Sequence, residues 1–206
     1  MIGFYNYTVV LTYVGMVSGF LGITSIMNGH VKWALLFLIA AGICDMFDGK
    51  IASTRKRTKQ EKSFGIQIDS LSDLICFGVL PALIVFHCSG GSILSTAISA
   101  LYLLCALIRL AWFNVDEAER QENEGGCRKT YLGLPVTTSA ITVPLVIAVG
   151  CMLSWASDYV YPLTLLVIGA AFLTPFRTKK PKLLGKLILI AIGAACLTLV
   201  LIGVPA

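Results

Sequence analysis

Residues 65–87 read GIQIDSLSDLICFGVLPALIVFH, a run that is long and apolar enough to cross a lipid bilayer. A transmembrane helix needs about 20 mostly apolar residues, and the only charged side chains in this run are Asp69 and Asp73. Six further stretches have similar length and polarity. The seven predicted spans are residues 8–26, 33–48, 65–87, 92–113, 134–154, 159–176 and 183–204.

The composition of the whole chain also indicates a membrane protein. Hydrophobic residues make up 57% of the 206 residues and charged residues 13%, whereas soluble domains have about 45–50% and about 25%. The apolar runs are continuous rather than alternating, which favours transmembrane helices over transmembrane strands. The sequence therefore predicts an all-α, polytopic integral membrane protein that forms a single domain over residues 1–206.

The basic residues predict the orientation of these spans. Of the 16 Lys and Arg residues, all but Lys32 and Arg109 lie in the linkers after the second, fourth and sixth spans or, for Lys186, directly beside one. By the positive-inside rule these linkers and the N-terminus are cytoplasmic, and after seven spans the C-terminus is not. The net charge of +5 then lies on a face that attracts anionic lipid headgroups. Because the charges lie so close to the span ends, we expect no nucleic-acid partner.

Four aspartates lie where membrane proteins rarely tolerate charge. Asp45 and Asp48 end the second predicted span, and Asp69 and Asp73 lie in the third. A charge at membrane depth costs at least about 2.5 kcal/mol, so four charges of one sign indicate a functional site. Spacings of three and four residues place each pair on one helix face.

Two such pairs on adjacent antiparallel helices would converge into one site of four carboxylates. A divalent cation would relieve their mutual repulsion, and oxygen ligands suit Mg²⁺ or Mn²⁺. The small residues Gly49, Ala52 and Gly65 leave the neighbouring helix surfaces open to a phosphate or nucleotide. We therefore predict a site for one or two divalent cations. The alternative is a water-filled cavity whose carboxylates bind no metal.

The segments DMFDGKIA (45–52) and GIQIDSLSD (65–73) resemble the signature of the CDP-alcohol phosphatidyltransferases, D-x2-D-G-x2-A-R followed by G-x3-D-x3-D. The resemblance implies a six-helix core over about residues 8–176, with residues 183–204 as an additional helix. It implies that the metal ligands are Asp45, Asp48, Asp69 and Asp73, and that Asp73 is also the catalytic base. It implies CDP-diacylglycerol binding by Asp48, Gly49, Ala52, Ser53, Gly65 and Asp69.

One position departs from the family signature. Ser53 stands where the family has an arginine that lies beside the phosphates of the nucleotide. Arg55, Arg57 or Lys50 could supply the missing contact, or the site could bind its substrate more weakly than in other members. The sequence leaves these alternatives open.

The acceptor alcohol is indicated by three further strings, which resemble bacterial and archaeal phosphatidylserine synthases: residues 64–82, RLAWFN (109–114) and YLGLP (131–135). This resemblance implies serine binding by Arg109, Phe113 and Asn114. Arg109 is predicted at the depth of the carboxylates, and its planar guanidinium matches the carboxylate that serine carries and choline or inositol lacks. The alternatives for Arg109 are an ion pair with one of the aspartates or extension to the membrane surface.

The resemblance implies that the chain transfers a phosphatidyl group from CDP-diacylglycerol to the hydroxyl of L-serine and releases CMP. It also implies phospholipid biosynthesis at the cytoplasmic face of the cell (inner or plasma) membrane, by a homodimer. Two other hypotheses remain. The acceptor could be another alcohol, such as inositol phosphate or glycerol 3-phosphate. A small cation transporter would also carry paired aspartates, but it would not need the small residues beside them.

Overall fold

The computed structural model describes residues 3–123, 130–154, 157–175, 177–179 and 183–205. In chain order its elements are α1 (Tyr7–Met27), α2 (Val31–Ala52), α3 (Lys59–Asp73), a π-helical turn (Leu74–Val79), α4 (Leu80–Cys88), α5 (Ile93–Asn123), β1 (Thr130–Leu132), a 3₁₀ turn (Val136–Thr138), α6 (Ser139–Leu153), α7 (Ser157–Leu173), β2 (Arg177–Lys179) and α8 (Leu183–Gly203). Each predicted span coincides with a helix, and α3, the π-helical turn and α4 together form the third. The prediction of an all-α polytopic fold is confirmed.

Four helical segments of the described chain are long and apolar enough to cross a membrane: Tyr7–Met27, Lys59–Cys88, Ile93–Arg120 and Val136–Leu153. Two further apolar helices, Asp158–Leu173 and Ala191–Gly203, are shorter. Helix α2 has 22 residues but carries four charged side chains, Lys32, Asp45, Asp48 and Lys50. The chain is therefore an integral membrane protein, and its charged side chains explain why α2 is not among these four segments.

Two short strands lie outside the helices, and the sequence analysis did not predict them. β1 pairs antiparallel with β2, so that Leu132 lies opposite Arg177. Strands of three residues are too short for an alternating pattern to be recognised. The pairing joins the α5–α6 linker to the α7–α8 linker and so places both at the same end of the helices.

Helix α3 begins earlier than the apolar run. It starts at Lys59, six residues before the predicted span, because Thr58 and Glu61 form a capping box. The Thr58 hydroxyl accepts the Glu61 N–H at 3.2 Å, and the Glu61 carboxylate accepts the Thr58 N–H at 2.8 Å. These bonds satisfy two N–H groups at the helix start, so α3 can begin in polar sequence.

The π-helical turn follows Asp73 directly and has a local cause. Pro81 has no N–H to donate to the carbonyl oxygen of Phe77, four residues earlier, and its ring crowds that carbonyl. The Phe77 carbonyl instead accepts hydrogen bonds from Tyr102 Oη at 2.6 Å and Ser139 Oγ at 3.2 Å. Irregular backbone inside a membrane protein requires such replacement donors. Helices α5 and α6 therefore fix the third span just beyond Asp73.

Helix α1 packs closely on the helices that carry the aspartates. A Cβ added at Gly19 would lie 2.5 Å from Cys76 Sγ, and one at Gly22 would lie 2.6 Å from Leu80 Cδ2. Small residues allow this close approach in membrane helices. The approach brings the polar side chain of Thr12 to Asp48.

We expect Gly42→Ala to destabilise the protein by about 1–3 kcal/mol, because an added Cβ would lie 2.8 Å from Ala140 Cβ, where α2 crosses α6. Gly193→Ala in α8 is the matched control, since a Cβ there meets no atom within 4 Å. Thermal unfolding in detergent should show a lower Tm for the first variant and an equal or higher Tm for the second. Equal Tm values for Gly42→Ala and wild type would contradict the close α2–α6 packing.

Candidate active site

Three of the four aspartates lie close enough together to share one cation. One carboxylate oxygen from each of Asp45, Asp48 and Asp69 lies within 4.8 Å of the other two. Helix α2 contributes two of these groups and α3 contributes the third. The two helices thus bring together residues that are 24 positions apart in the chain.

Asp73 lines the same cavity but stands apart from this group. The cavity has a volume of about 10 Å³, roughly the space of one water molecule or cation, and its lining includes all four aspartates and Thr12. Asp73 lies one helical turn beyond Asp69 on α3 and is not one of the three oxygen donors that lie within 4.8 Å. Asp73 therefore lines the cavity without belonging to the group of three oxygen donors.

The charge balance of the cavity favours a bound cation. Carboxylate oxygens of Asp45, Asp48 and Asp69 lie within 4.8 Å of one another, and ionised carboxylates this close repel one another unless a proton or cation lies between them. Thr12 Oγ1 donates to Asp48 Oδ2 at 3.3 Å, but this donor is neutral. Within the described residues, no Lys or Arg forms an ion pair with any of the four aspartates. A group of oxygen ligands whose negative charge is not balanced by a basic side chain fits Mg²⁺ or Mn²⁺.

The residues predicted to bind the nucleotide line the polar ends of α2 and α3. Gly49 is exposed, and a Cβ added there would meet no atom within 4 Å, so this side of α2 is open. Ala52 is half-buried. Ser53 is exposed, and its hydroxyl donates to the Lys50 carbonyl oxygen at 2.7 Å. Gly65 lies one turn before Asp69 on α3.

The structure does not bring Arg109 to the carboxylates. Arg109 lines a second cavity of about 240 Å³, together with Trp112, Gly133 and residues 172–175. Its Nε donates to the Leu134 carbonyl oxygen at 3.3 Å. No residue lines both this cavity and the acidic one. Arg109 therefore lies toward the end of α7, whereas the aspartates lie between α1, α2 and α3.

Asn114, by contrast, contacts the helix that carries Asp69 and Asp73. Its Oδ1 accepts a hydrogen bond from Ser70 Oγ at 2.6 Å, and its Nδ2 donates to Gln67 Oε1 at 3.4 Å. A separation of five residues turns a helix by about 140° past a full turn, so Arg109 and Asn114 face different neighbours. Phe113, half-buried, lies next to Asn114.

Helix α1 forms one wall of the acidic cavity, although its sequence predicts no site residue. Leu11, Thr12 and Gly15 line it, and the hydrogen bond from Thr12 orients the Asp48 carboxylate. The available signal was the helical spacing of small and hydroxyl residues in α1: Thr12, Gly15, Ser18, Gly19 and Gly22.

Comparison with known proteins identifies the family. Residues 5–175 match the model of the CDP-alcohol phosphatidyltransferases, a match that includes all four aspartates and ends before α8. The chain belongs to the CDP-alcohol phosphatidyltransferase family. The resemblance found in the sequence is thereby confirmed. Members of this family generally use divalent metals, in agreement with the oxygen donors of the acidic cavity.

Several relatives within this family have names that include serine. The chain is 34% identical over 142 residues to the CDP-diacylglycerol–serine O-phosphatidyltransferase of Saccharomyces cerevisiae, covering 64% of this chain and 50% of the relative. It is 32% identical over 127 residues to the archaetidylserine synthase of Methanothermobacter thermautotrophicus, covering 61% and 51%. It is 28% identical over 193 residues to the CDP-diacylglycerol–serine O-phosphatidyltransferase of Methanocaldococcus jannaschii, covering 94% and 83%. The chain spans about half the length of the first two.

Proposed function

We propose that this phosphatidyltransferase transfers the phosphatidyl group of CDP-diacylglycerol to the hydroxyl of L-serine, giving phosphatidylserine and CMP. The observation that carries the proposal is the acidic cavity, in which Asp45, Asp48 and Asp69 lie within reach of one cation and Asp73 lies beside them. The serine-specific names of the relatives support the choice of acceptor.

The proposed metal ligands are Asp45, Asp48 and Asp69, with Asp73 next to a second cation. When bound there, Mg²⁺ or Mn²⁺ neutralises charge on the pyrophosphate and on the departing CMP. The protein contributes ligands on two helices, α2 and α3, and α1 packs against both of them. Asp48 is oriented by Thr12 and lies in contact with Asp69.

Asp73 is the proposed catalytic base. In the reaction the serine hydroxyl oxygen forms a bond to the phosphorus of the phosphatidyl group, and the bond from that phosphorus to the oxygen of CMP breaks. The hydroxyl proton passes to the Asp73 carboxylate. Asp73 suits this role because it lines the cavity without belonging to the group of three donors.

The nucleotide is proposed to lie over Gly49, Ala52, Ser53 and Gly65, which themselves carry little or no side chain; at Gly65 the Arg57 guanidinium lies alongside. Gly49 leaves its side of α2 open, which allows a bulky group to approach the backbone. The acyl chains then extend sideways into the lipid.

The proposed serine-binding residues are Arg109, Phe113 and Asn114. Of the three, Asn114 has the strongest support, because its side chain contacts Ser70, the residue next to Asp69. We expect Asn114→Ala to raise the KM for serine about fivefold, as loss of one hydrogen bond allows, with the KM for CDP-diacylglycerol changed less than twofold. Gln67→Ala is the matched control, since it removes the Asn114–Gln67 bond and keeps the Asn114 amide.

Arg109→Lys tests the other assignment in the same assay. Lysine keeps the charge but loses the planar fork that binds a carboxylate. A selective rise in the KM for serine means that Arg109 reaches the acceptor in the substrate complex. An unchanged KM for serine means that the serine-binding role of Arg109 is wrong. Arg109 would then stay in the second cavity during the reaction.

We further propose that the acidic cavity faces the cytoplasm of the cell (inner or plasma) membrane, with the N-terminus on the same side. Two contacts support the prediction that the basic linkers and the N-terminus lie at the same end of the helices. Asn6 Nδ2 donates to Glu61 Oε1 at 3.2 Å, which joins the start of α1 to the first turn of α3, just after the basic α2–α3 linker. The β1–β2 pairing joins the two other basic linkers. The homodimer that the family implies stays a prediction, which mass measurement in detergent would test.

An acceptor screen tests the proposed function. Purified protein is supplied with CDP-diacylglycerol, Mn²⁺ or Mg²⁺, and one of L-serine, inositol phosphate or glycerol 3-phosphate, and CMP release is measured. The proposal predicts release that depends on L-serine. CMP release with another alcohol but not with L-serine would show that this alcohol is the acceptor. No release with any of the three acceptors would contradict the proposed function.

A further inference from the structure

We infer that Arg57 binds the phosphates of the CDP-linked substrate in the place of the arginine that the family signature has at position 53. The inference rests on the proposed function in one respect, that the substrate carries a cytidine diphosphate. Ser53 cannot supply the missing guanidinium. Its hydroxyl is engaged with the Lys50 carbonyl oxygen at 2.7 Å, at the end of α2.

Of the three basic side chains that the sequence offers for the missing contact, Arg55 and Lys50 are engaged elsewhere. Arg55 Nη2 lies 3.7 Å from Glu61 Oε1, and the Glu61 carboxylate is itself fixed by the capping box with Thr58. The Lys50 ammonium lies 5.3 Å from the centre of the Phe47 ring, a cation–π contact.

Arg57 differs from both in its position. Its Nη1 lies 3.2 Å from the point where Gly65 would carry a Cβ, so the guanidinium rests against the bare backbone of α3. The side chain is half-buried, and within the described residues it forms no ion pair. Because the guanidinium packs against a residue that has no side chain, its N–H groups stay available to a ligand that lies along α3.

Gly65 places that guanidinium in line with the metal ligands. Gly65, Asp69 and Asp73 form one stripe of α3, and four residues of helix correspond to about 6 Å along the axis. A pyrophosphate bound at Asp48 and Asp69 can therefore extend over Gly65 toward Arg57. The planar fork of arginine matches two phosphate oxygens at once.

The alternative is that Arg57 only covers Gly65 and contributes to packing. The two explanations differ in what other variants do. If Arg57 binds phosphate, a new arginine at position 53 should replace it. If Arg57 only packs, a distant arginine at the end of α2 has no effect on its loss.

The experiment measures binding of CDP to the purified full-length protein in detergent with Mn²⁺, by calorimetry, and the KM for CDP-diacylglycerol. Arg57→Ala should weaken CDP binding by about tenfold or more, the effect of one charge-assisted hydrogen bond. Arg57→Gln should show a similar loss, which excludes a simple packing defect. Arg55→Ala, the matched control, should stay within about twofold of wild type. Arg57→Ala combined with Ser53→Arg should recover most of the lost affinity.

Unchanged CDP affinity in Arg57→Ala would overturn the inference, and so would an equal loss in Arg55→Ala, which would indicate a diffuse basic surface. Failure of Ser53→Arg to rescue would also overturn it. Because CDP binding needs no acceptor, these outcomes do not depend on whether serine is the acceptor. Absence of CDP binding by the wild-type protein would overturn the proposed function together with the inference.

Discussion

Asp73→Asn is expected to reduce serine-dependent CMP release by about 10²–10⁴-fold while leaving the affinity for CDP-diacylglycerol within a few-fold of wild type. The side chain keeps its shape but can no longer accept the hydroxyl proton. Asp73 lines the cavity and lies outside the three-oxygen group, so the metal ligands remain in place. Rates and binding are measured on the same preparation.

Glu119→Gln is the control for this variant, since it neutralises an exposed acid of α5 that does not line the cavity. It should retain the wild-type rate. If Asp73→Asn kept more than about a tenth of the wild-type rate, the assignment of Asp73 as catalytic base would be wrong. If it lost binding and turnover together, Asp73 would act mainly as a metal ligand.

Asp48→Asn should remove metal binding, and with it both CDP-diacylglycerol binding and turnover. Asp48 is the aspartate that contacts both Asp69 and Thr12. Replacing a residue that supports a metal ligand costs about 10–100-fold in affinity, and loss of a ligand itself should cost at least as much. Mn²⁺ binding is measured by electron paramagnetic resonance.

Thr12→Val is the matched control, because it removes the hydrogen bond to Asp48 and keeps the carboxylate. Its effect on Mn²⁺ affinity should be smaller than that of Asp48→Asn. Without metal, Asp48→Asn should not lower the Tm, since it relieves repulsion between crowded carboxylates. Unchanged Mn²⁺ affinity in Asp48→Asn would show that the acidic cavity is not the metal site.

The sequence predicted the helices well because lipid imposes a simple rule on their length and polarity. The aspartate pairs were visible for the same reason, since charge stands out in an apolar run. The early start of α3 was also encoded, in the Thr58–Glu61 capping box, but a search for apolar residues does not detect it. The three-residue strands depend on tertiary contact between two linkers and leave no local pattern.

The rotation of helices about their axes was harder to predict than their existence. Arg109 and Asn114 lie only five residues apart on α5, and the packing of α5 on α3 and α7 decides which of them faces the aspartates. The contribution of α1 was missed for a related reason. Thr12 has no charge, and its importance depends on the close approach of α1 to α2.

The most direct test of the account is CMP release by the purified protein when CDP-diacylglycerol, L-serine and the divalent cation are each omitted in turn. The account predicts CMP and phosphatidylserine in equal amounts when all three are present, and neither product when any one is absent. Equal rates of CMP release with and without L-serine, or with and without the cation in the presence of a chelator, would contradict it.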